Sequence, residues 1–211
     1  MVQAEPQRRS AFGSGKRLTP IDRLGVWLSS RSVCKSVGTF AGRRVADLGC
    51  GYEASLTRRI LQDIESAILV DVSLADDLKS HPKITALEAS LPQALCELPS
   101  ASIDVVMCIS SLEHLAEPDA LLAECHRLIA PGGLLLVNVP SWLGKRFLEL
   151  SAFRLGLSPA EEMDDHKMYY DPKDLWPHLR RAGFLPHNIR CHRHKGGLNV
   201  FAVCRVESSE S

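Results

Sequence analysis

The sequence predicts a doubly wound α/β fold: a Rossmann-like sheet of seven strands, mostly parallel, with one antiparallel strand near the C-terminus. Short apolar runs alternate with helical segments along the first two thirds of the chain. The runs are continuously apolar, as in Ile103–Ile109 after Asp104, and strands that helices bury on both faces have this composition. The chain ends in two further apolar runs joined across Lys195–Gly197, a short link typical of an antiparallel hairpin.

Turn-forming or charged residues bound each predicted element. The strands are predicted at Arg44–Leu48, Ala67–Val72, Ile84–Ala89, Ile103–Ile109, Leu134–Val139, about His187–His194 and Leu198–Val206. The helices carry apolar residues at helical spacing and are predicted at 20–38, Ser55–Ile64, Asp119–Ile129, 145–156 and Pro172–Arg181. Pro131-Gly132-Gly133 is predicted to end the third of these helices before the fifth strand begins.

The length of 211 residues suits one domain. Residues 1–19 are polar and rich in Gly, Ser and Arg, so they are predicted to form a flexible N-terminal arm. The domain is predicted over 20–206, followed by a polar tail at 207–211. Within it, 141–168 is an insert, since this connection is long for an α/β unit. The helix in the insert either forms a lid or packs on the sheet.

Composition excludes several classes of partner. Lys plus Arg and Asp plus Glu both number 25, so the formal net charge is zero and nucleic acid is not an expected partner. No apolar run approaches the ~18–20 residues of a transmembrane helix, and the basic start lacks the apolar core of a signal peptide. The seven cysteines form no CxxC pair, which predicts reduced thiols in a cytoplasmic protein.

The strongest local signal is VADLGCGYEAS at 45–55, where Gly-x-Gly lies between a strand and a helix. Glycines here allow a sharp turn and close approach of a ligand, at the sheet edge where α/β folds bind ligands. Gly49, Gly51 and Ala54 fit the dinucleotide pattern G-x-G-x-x-A. Asp47 favours S-adenosylmethionine, because a carboxylate repels pyrophosphate and attracts an ammonium and a sulfonium. The alternative role for Asp47 is to cap the turn.

Asp71 ends the second predicted strand, twenty residues after Gly51. An acidic side chain at this place can accept hydrogen bonds from both hydroxyls of a ribose. An ordinary loop residue is the alternative. Since both cofactor classes carry a ribose, Asp71 indicates a nucleoside and does not choose between them.

Several motifs in one order resemble the class I S-adenosylmethionine-dependent methyltransferases. They are Asp47-Leu48-Gly49-Cys50-Gly51, Asp71, Glu88-Ala89-Ser90, Ser110-Ser111-Leu112-Glu113-His114-Leu115, Pro131-Gly132-Gly133, and Tyr170-Asp171-Pro172 through Gly183-Phe184. The resemblance implies a methyltransferase with S-adenosylmethionine as cofactor and S-adenosylhomocysteine as product. The cofactor contacts that it implies are Asp47, Gly49, Cys50, Gly51, Tyr52, Asp71, Val72, Glu88, Ala89 and Ser110. The sequence departs from the family where Tyr52 and Glu53 replace a third glycine and Glu88 replaces an Asp.

Two histidines are candidate catalytic bases for the proton of a hydroxyl acceptor. His114 follows the fourth predicted strand, and a purely structural histidine is the alternative. His166 lies beside Asp164 and Asp165, whose carboxylates would stabilise an imidazolium, and a solvated charge run is the alternative. Some similar quinone-biosynthesis enzymes bind a metal through Glu-x-x-Glu-His. Here Ser110 stands at the first Glu, so no metal is predicted.

The acceptor implied by the resemblance is a small molecule or a glycan, methylated at oxygen. The stretch 138–170 is similar, more narrowly, to small bacterial methyltransferases of surface-polysaccharide biosynthesis, which implies a glycan. The edge strand or the insert helix could pair two chains in a homodimer. Two other functions stay open: an NAD(P)-dependent oxidoreductase, which Asp47 disfavours, and a non-catalytic S-adenosylmethionine-binding protein.

Overall fold

Seven strands form one sheet in the computed structural model, which describes residues 11–13, 20–147 and 167–208. The strands are β1 (Arg44–Leu48), β2 (Ser66–Asp71), β3 (Ile84–Glu88), β4 (Ile103–Ile109), β5 (Ile129–Pro140), β6 (Ile189–His194) and β7 (Asn199–Arg205). Their order across the sheet is β3-β2-β1-β4-β5-β7-β6. β7 is antiparallel to both β5 and β6, whereas the other strand pairs are parallel. The predicted fold class is confirmed.

Helices pack on both sides of this sheet. They are α1 (Pro20–Val37), α2 (Ser55–Ile60), α3 (Asp76–Lys79), α4 (Pro118–Leu128) and α5 (Pro172–Arg181). α5 begins with a capping box, in which the Asp174 carboxylate accepts a hydrogen bond from the Asp171 N–H at 2.9 Å. Residues 142–147 are also helical. They overlap the helix predicted at 145–156, and the remainder of that helix lies outside the described residues.

Two elements differ by more than two residues from their predicted bounds. α2 ends at Ile60 rather than Ile64, because the chain turns over 61–63 and Ile64 is already buried on the way into β2. β5 begins at Ile129 rather than Leu134, because Pro131-Gly132-Gly133 does not end the pairing with β4. The register shifts at this place, and the proline-glycine triplet forms an irregularity within the strand.

Apolar layers cover both faces of the sheet, which explains why the strands lack polar alternation. One layer places Leu122 of α4 against the side of β4 that carries Val106. The other places Val33 of α1 on the opposite side, with Met107 of β4. All four side chains are fully buried. The carboxyl ends of β1, β2, β3 and β4 therefore meet at one edge of a rigid sheet.

Two further sequence predictions can be compared with the structure. In the part of the chain that the structure describes, no helix is long and apolar enough to cross a membrane. All seven cysteines are free thiols, as the absence of paired spacing predicts.

Candidate active site

The glycine turn after β1, residues 49–52, is folded tightly against the β4 loop. Gly49 and Gly51 have φ angles of 70° and 75°, the left-handed region that glycine adopts readily. The hydroxyl of Ser111 donates a hydrogen bond to the Leu48 carbonyl at 2.7 Å. A Cβ on Gly49 would collide with that hydroxyl. Gly49 is therefore required by contact with the protein itself as well as by its backbone conformation.

The N–H groups of the glycine turn all donate to acceptors within the protein. Gly49 N–H and Cys50 N–H donate to the Val70 carbonyl at 2.7 and 3.4 Å. Gly51 N–H donates to Asp71 Oδ2 at 2.8 Å, and Tyr52 N–H donates to the Phe12 carbonyl at 2.9 Å. A dinucleotide pyrophosphate binds through free N–H groups at such a turn. This turn does not offer them, and the NAD(P) alternative is disfavoured.

Asp47 lies buried beneath the turn, at 3% exposure. Its Oδ2 accepts a hydrogen bond from the Thr57 hydroxyl in α2 at 2.7 Å, so Asp47 also anchors α2 to β1. Burial raises the pKa of Asp47 to about 7, and Thr57 opposes that rise by donating to the ionised carboxylate. The nearby Asp71 carboxylate also raises the pKa of Asp47, since two like charges disfavour each other.

Asp71 ends β2 beside the turn and is 5% exposed. Its Oδ2 binds Gly51 N–H and its Oδ1 binds Val72 N–H, each at 2.8 Å. A carboxylate has about four acceptor positions, so each oxygen can also accept from a ribose hydroxyl. Within the described part of the chain, neither Asp47 nor Asp71 forms an ion pair. The site is consequently negative and suits a cationic nucleoside.

The end of β3 continues this edge. Glu88 pairs with Asp71 across the strands, and Ala89 N–H donates to the Asp71 carbonyl at 3.0 Å. Glu88 Oε1 accepts from Leu74 N–H and from Lys79 Nζ, both at 2.8 Å. The Lys79 ammonium, with the Leu74 N–H, lowers the pKa of Glu88. Glu88 and Ala89 are both exposed and lie next to Asp71, and their contact with the cofactor stays a prediction.

Ser110 follows β4 with a φ of 58°, a strained conformation for a residue with a side chain. Its N–H donates to the Asn138 carbonyl at 2.8 Å, and its hydroxyl accepts from Asn138 Nδ2 at 3.4 Å. Asn138 is fully buried near the end of β5, and its Oδ1 has no hydrogen-bond partner among the described residues. A buried acceptor of this kind normally has a donor, so Asn138 Oδ1 is an unsatisfied acceptor beside Ser110.

The two predicted bases have different outcomes. His114 is half-buried at the end of a 3₁₀ turn, Leu112–His114, and its N–H donates to the Ser111 carbonyl at 3.1 Å. His166 lies outside the described residues. Lys167 N–H and Met168 N–H both donate to the Glu113 carbonyl, at 2.9 and 3.2 Å. The insert therefore returns to the sheet at the loop that carries His114.

Four residues of the site were missed by sequence reasoning: Phe12, Thr57, Ser111 and Asn138. Thr57 is ten residues from Asp47 and could have been found from the strand–turn–helix geometry. Ser111 and Asn138 reach the site only because β4 pairs with β1 and β5. The sequence around each residue therefore gives no indication of this contact. The described residues hold no group of three or more His, Cys, Asp or Glu side chains suited to a metal.

The doubly wound sheet carries two carboxylates at its carboxyl edge, and neither has an ion-pair partner in the part of the chain that the structure describes. They lie beside a turn whose N–H groups are already bonded within the protein. This combination is typical of a protein that binds a cationic nucleoside. Comparison with known proteins narrows this class. Residues 46–137 match the family model described as a methyltransferase domain. The ubiquinone biosynthesis O-methyltransferase of Paracidovorax citrulli is 34% identical over 119 residues, which are 51% of this chain and 48% of that protein. The enzyme of the same name from Pseudomonas aeruginosa is 29% identical over 187 residues, 83% of this chain and 75% of that one.

The fold has a close counterpart among solved structures. A SAM-dependent methyltransferase from Archaeoglobus fulgidus superposes with a TM-score of 0.62 and 16% identity, over 85% of this chain and 93% of that one. Together these similarities support a class I S-adenosylmethionine-dependent methyltransferase with S-adenosylmethionine as its cofactor. The residues present fit this cofactor, because Asp47 and Asp71 lack cationic partners among the described residues and the turn offers no donors to a phosphate.

Proposed function

We propose that this methyltransferase acts on a hydroxyl oxygen of a small molecule. One observation carries the proposal: the similarity to a ubiquinone biosynthesis O-methyltransferase extends over 83% of the chain. It therefore runs well beyond residues 46–137 and includes much of the half of the chain that follows the cofactor motifs. The insert at 141–168, which is predicted to cover the acceptor, falls in that half.

The acceptor is proposed to bind beside Ser110 and Asn138. Ser110 follows β4 directly, next to the glycine turn, and holds one end of the Asn138 amide. The other end, Oδ1, is a hydrogen-bond acceptor that a substrate hydroxyl could satisfy. Such a bond would direct a lone pair of the hydroxyl oxygen toward the cofactor. This orientation is what an in-line displacement on carbon requires.

The chain's own residues would then perform three tasks. When bound, the cofactor supplies an electrophilic methyl group on a positively charged sulfur. Asp47 and Asp71 would hold the cofactor by its charge and its ribose hydroxyls. Asn138 would orient the acceptor, and His114 or His166 would take the proton that the hydroxyl loses. A positioned base of this kind contributes roughly 10²–10⁴-fold to the rate.

The remaining predictions on organisation belong to this proposal. Residues 20–206 would form the catalytic domain, and 141–168 would cover the acceptor. The glycan acceptor and the homodimer stay predictions from the sequence, because the stretch that implies a glycan falls largely outside the described residues. The acceptor screen therefore includes both classes.

The test is a transfer assay with S-adenosylmethionine labelled in the methyl group. The acceptors are phenols with vicinal hydroxyls and nucleotide sugars, each paired with an amine or thiol of matched shape. Label in the hydroxyl compounds supports the proposal, and label only in amines or thiols refutes it. Binding of cofactor with no transfer to any acceptor would favour the non-catalytic alternative.

Asn138 provides a second test within the same assay. Asn138→Ala should lower kcat/KM for the active acceptor by about tenfold or more, with unchanged affinity for S-adenosylhomocysteine. Asn188→Ala is the control, since Asn188 lies in the 3₁₀ turn before β6. Equal effects of the two changes would remove Asn138 from the proposed site.

A further inference from the structure

Residues 11–13, here called the strap, lie directly on the glycine turn. The Phe12 carbonyl accepts the hydrogen bond from Tyr52 N–H at 2.9 Å, and Ala11 is only 4% exposed. A Cβ on Gly51 would lie 3.1 Å from the Phe12 carbonyl oxygen and 3.6 Å from the Phe12 Cβ. This contact lies in the segment that the sequence predicts to be a flexible arm.

Contact with the strap, rather than with a ligand, explains why the turn has a glycine at position 51. A side chain at Gly49 has no room because Ser111 lies against it. A side chain at Gly51 has little room because the strap lies against it. Gly51 also has a φ of 75°, so a side chain there would both strain the backbone and press on Phe12. The turn is therefore held by two of the protein's own segments, one from the β4 loop and one from the strap.

The bonds of the turn connect the strap to the cofactor residues. Gly51 N–H binds Asp71 Oδ2, and the next N–H in the chain, that of Tyr52, binds Phe12. The turn cannot move away from Asp71 or from the strap without breaking one of these bonds. The Tyr52 carbonyl in turn accepts from Ala75 N–H at 3.0 Å, so the same residue also fixes the loop after β2. Loss of the strap would loosen the turn beside Asp71.

We propose that the strap is a component of the cofactor site, and that it retains bound cofactor by holding the glycine turn in its binding conformation. The inference concerns cofactor binding alone and does not depend on the acceptor. A net hydrogen bond and a partly buried aromatic ring correspond to about a tenfold change in affinity. Affinity differences between variants of one site lie mostly in the dissociation rate, so most of this change should appear there.

Hydrogen exchange tests whether the strap is present in solution. The Tyr52 amide should exchange at least about tenfold more slowly in the full chain than in a chain lacking residues 2–13. Ala11→Arg offers the same test at full length, because a charged side chain cannot occupy the buried position of Ala11. Equal exchange of this amide in all three proteins would overturn the proposal, whatever the cofactor affinity.

Calorimetry and stopped-flow measurements with S-adenosylhomocysteine test its role. The deletion and Ala11→Arg should weaken binding by about tenfold and speed dissociation, whereas Phe12→Ala, which keeps the carbonyl, should weaken it by about threefold. Trp176→Ala is the control, since Trp176 is 37% exposed against 40% for Phe12 and lies on α5. Affinity within twofold of the full chain in the deletion and in Ala11→Arg would overturn the proposal. Tighter binding would overturn it too, and would show that the strap competes with cofactor.

Discussion

Cofactor binding should release a proton from Asp47. The pKa of this buried carboxyl is raised to about 7, so about half of the molecules are protonated at pH 7. The positive charges of S-adenosylmethionine favour the ionised carboxylate and lower its pKa. We therefore expect about half a proton to be released per cofactor at pH 7, and about a tenth at pH 8, where Asp47 is already ionised.

Isothermal titration calorimetry measures this release. Titrations in phosphate and in Tris, whose ionisation enthalpies differ, give the number of protons exchanged on binding. Asp47→Asn keeps the shape and the hydrogen bond with Thr57 and removes the titration. The difference between the two proteins gives the proton release that depends on the Asp47 carboxyl. Equal proton release in the two proteins, or a release that grows between pH 7 and pH 8, would refute the reasoning.

The same carboxyl makes the free protein's stability depend on pH. The folded-state pKa lies above the unfolded value of 3.8, so the folded chain keeps a proton that the unfolded chain has lost. Stability falls as pH rises from about 4 to 7 and levels off above that. Asp47→Asn should therefore raise Tm at pH 8 in the absence of cofactor. Thr57→Val removes a donor to the carboxylate and should move the window to higher pH.

Three further experiments test the glycine turn, the ribose contact and the packing of the core. Gly49→Ala should lower the free energy of unfolding in urea by about 2–4 kcal/mol. The control is Gly196→Ala, which has a similar φ and open space around its Cβ and should cost about 1 kcal/mol. Equal losses would contradict the collision at Gly49. Asp71→Ala should weaken S-adenosylhomocysteine binding at least about thirtyfold in calorimetry, and Asp71→Asn less, since it keeps one acceptor oxygen; unchanged affinity would remove Asp71 from the site. A thiol reagent should label only the exposed Cys34 and Cys96 quickly in the native protein, and rapid reaction of further thiols would show that the core opens.

The fold could be predicted because the apolar composition of each strand indicates that the strand is buried on both faces. Ile103–Ile109 is apolar after Asp104 since helices cover both of its sides, and β4 has the predicted bounds. The Pro131-Gly132-Gly133 turn was not foreseen inside a strand, because whether a break interrupts pairing depends on β4 and not on local sequence. The end of α2 was likewise set by the burial of Ile64.

Site residues could be predicted only where a side chain of suitable chemistry lies at the carboxyl end of a predicted strand. Asp47 and Asp71 end adjacent parallel strands, so their meeting at one edge follows from topology. Asp47 also holds α2 through Thr57, a structural role that differs from the predicted capping of the turn. Ser111, Asn138 and Phe12 could not be found, because each reaches the site through a contact between segments far apart in the chain.

The position of β7 has a consequence for how this protein is made. β5 lies in the middle of the sheet, yet one of its two neighbours is the last strand of the chain, paired from Leu134↔Arg205 to Pro140↔Asn199. During synthesis, β5 therefore waits with an open edge until residue 205 has left the ribosome. A nascent or truncated chain that stops before β7 presents a long apolar strand edge, the kind that pairs with other chains. Completion of the C-terminal hairpin is thus what covers this edge of β5.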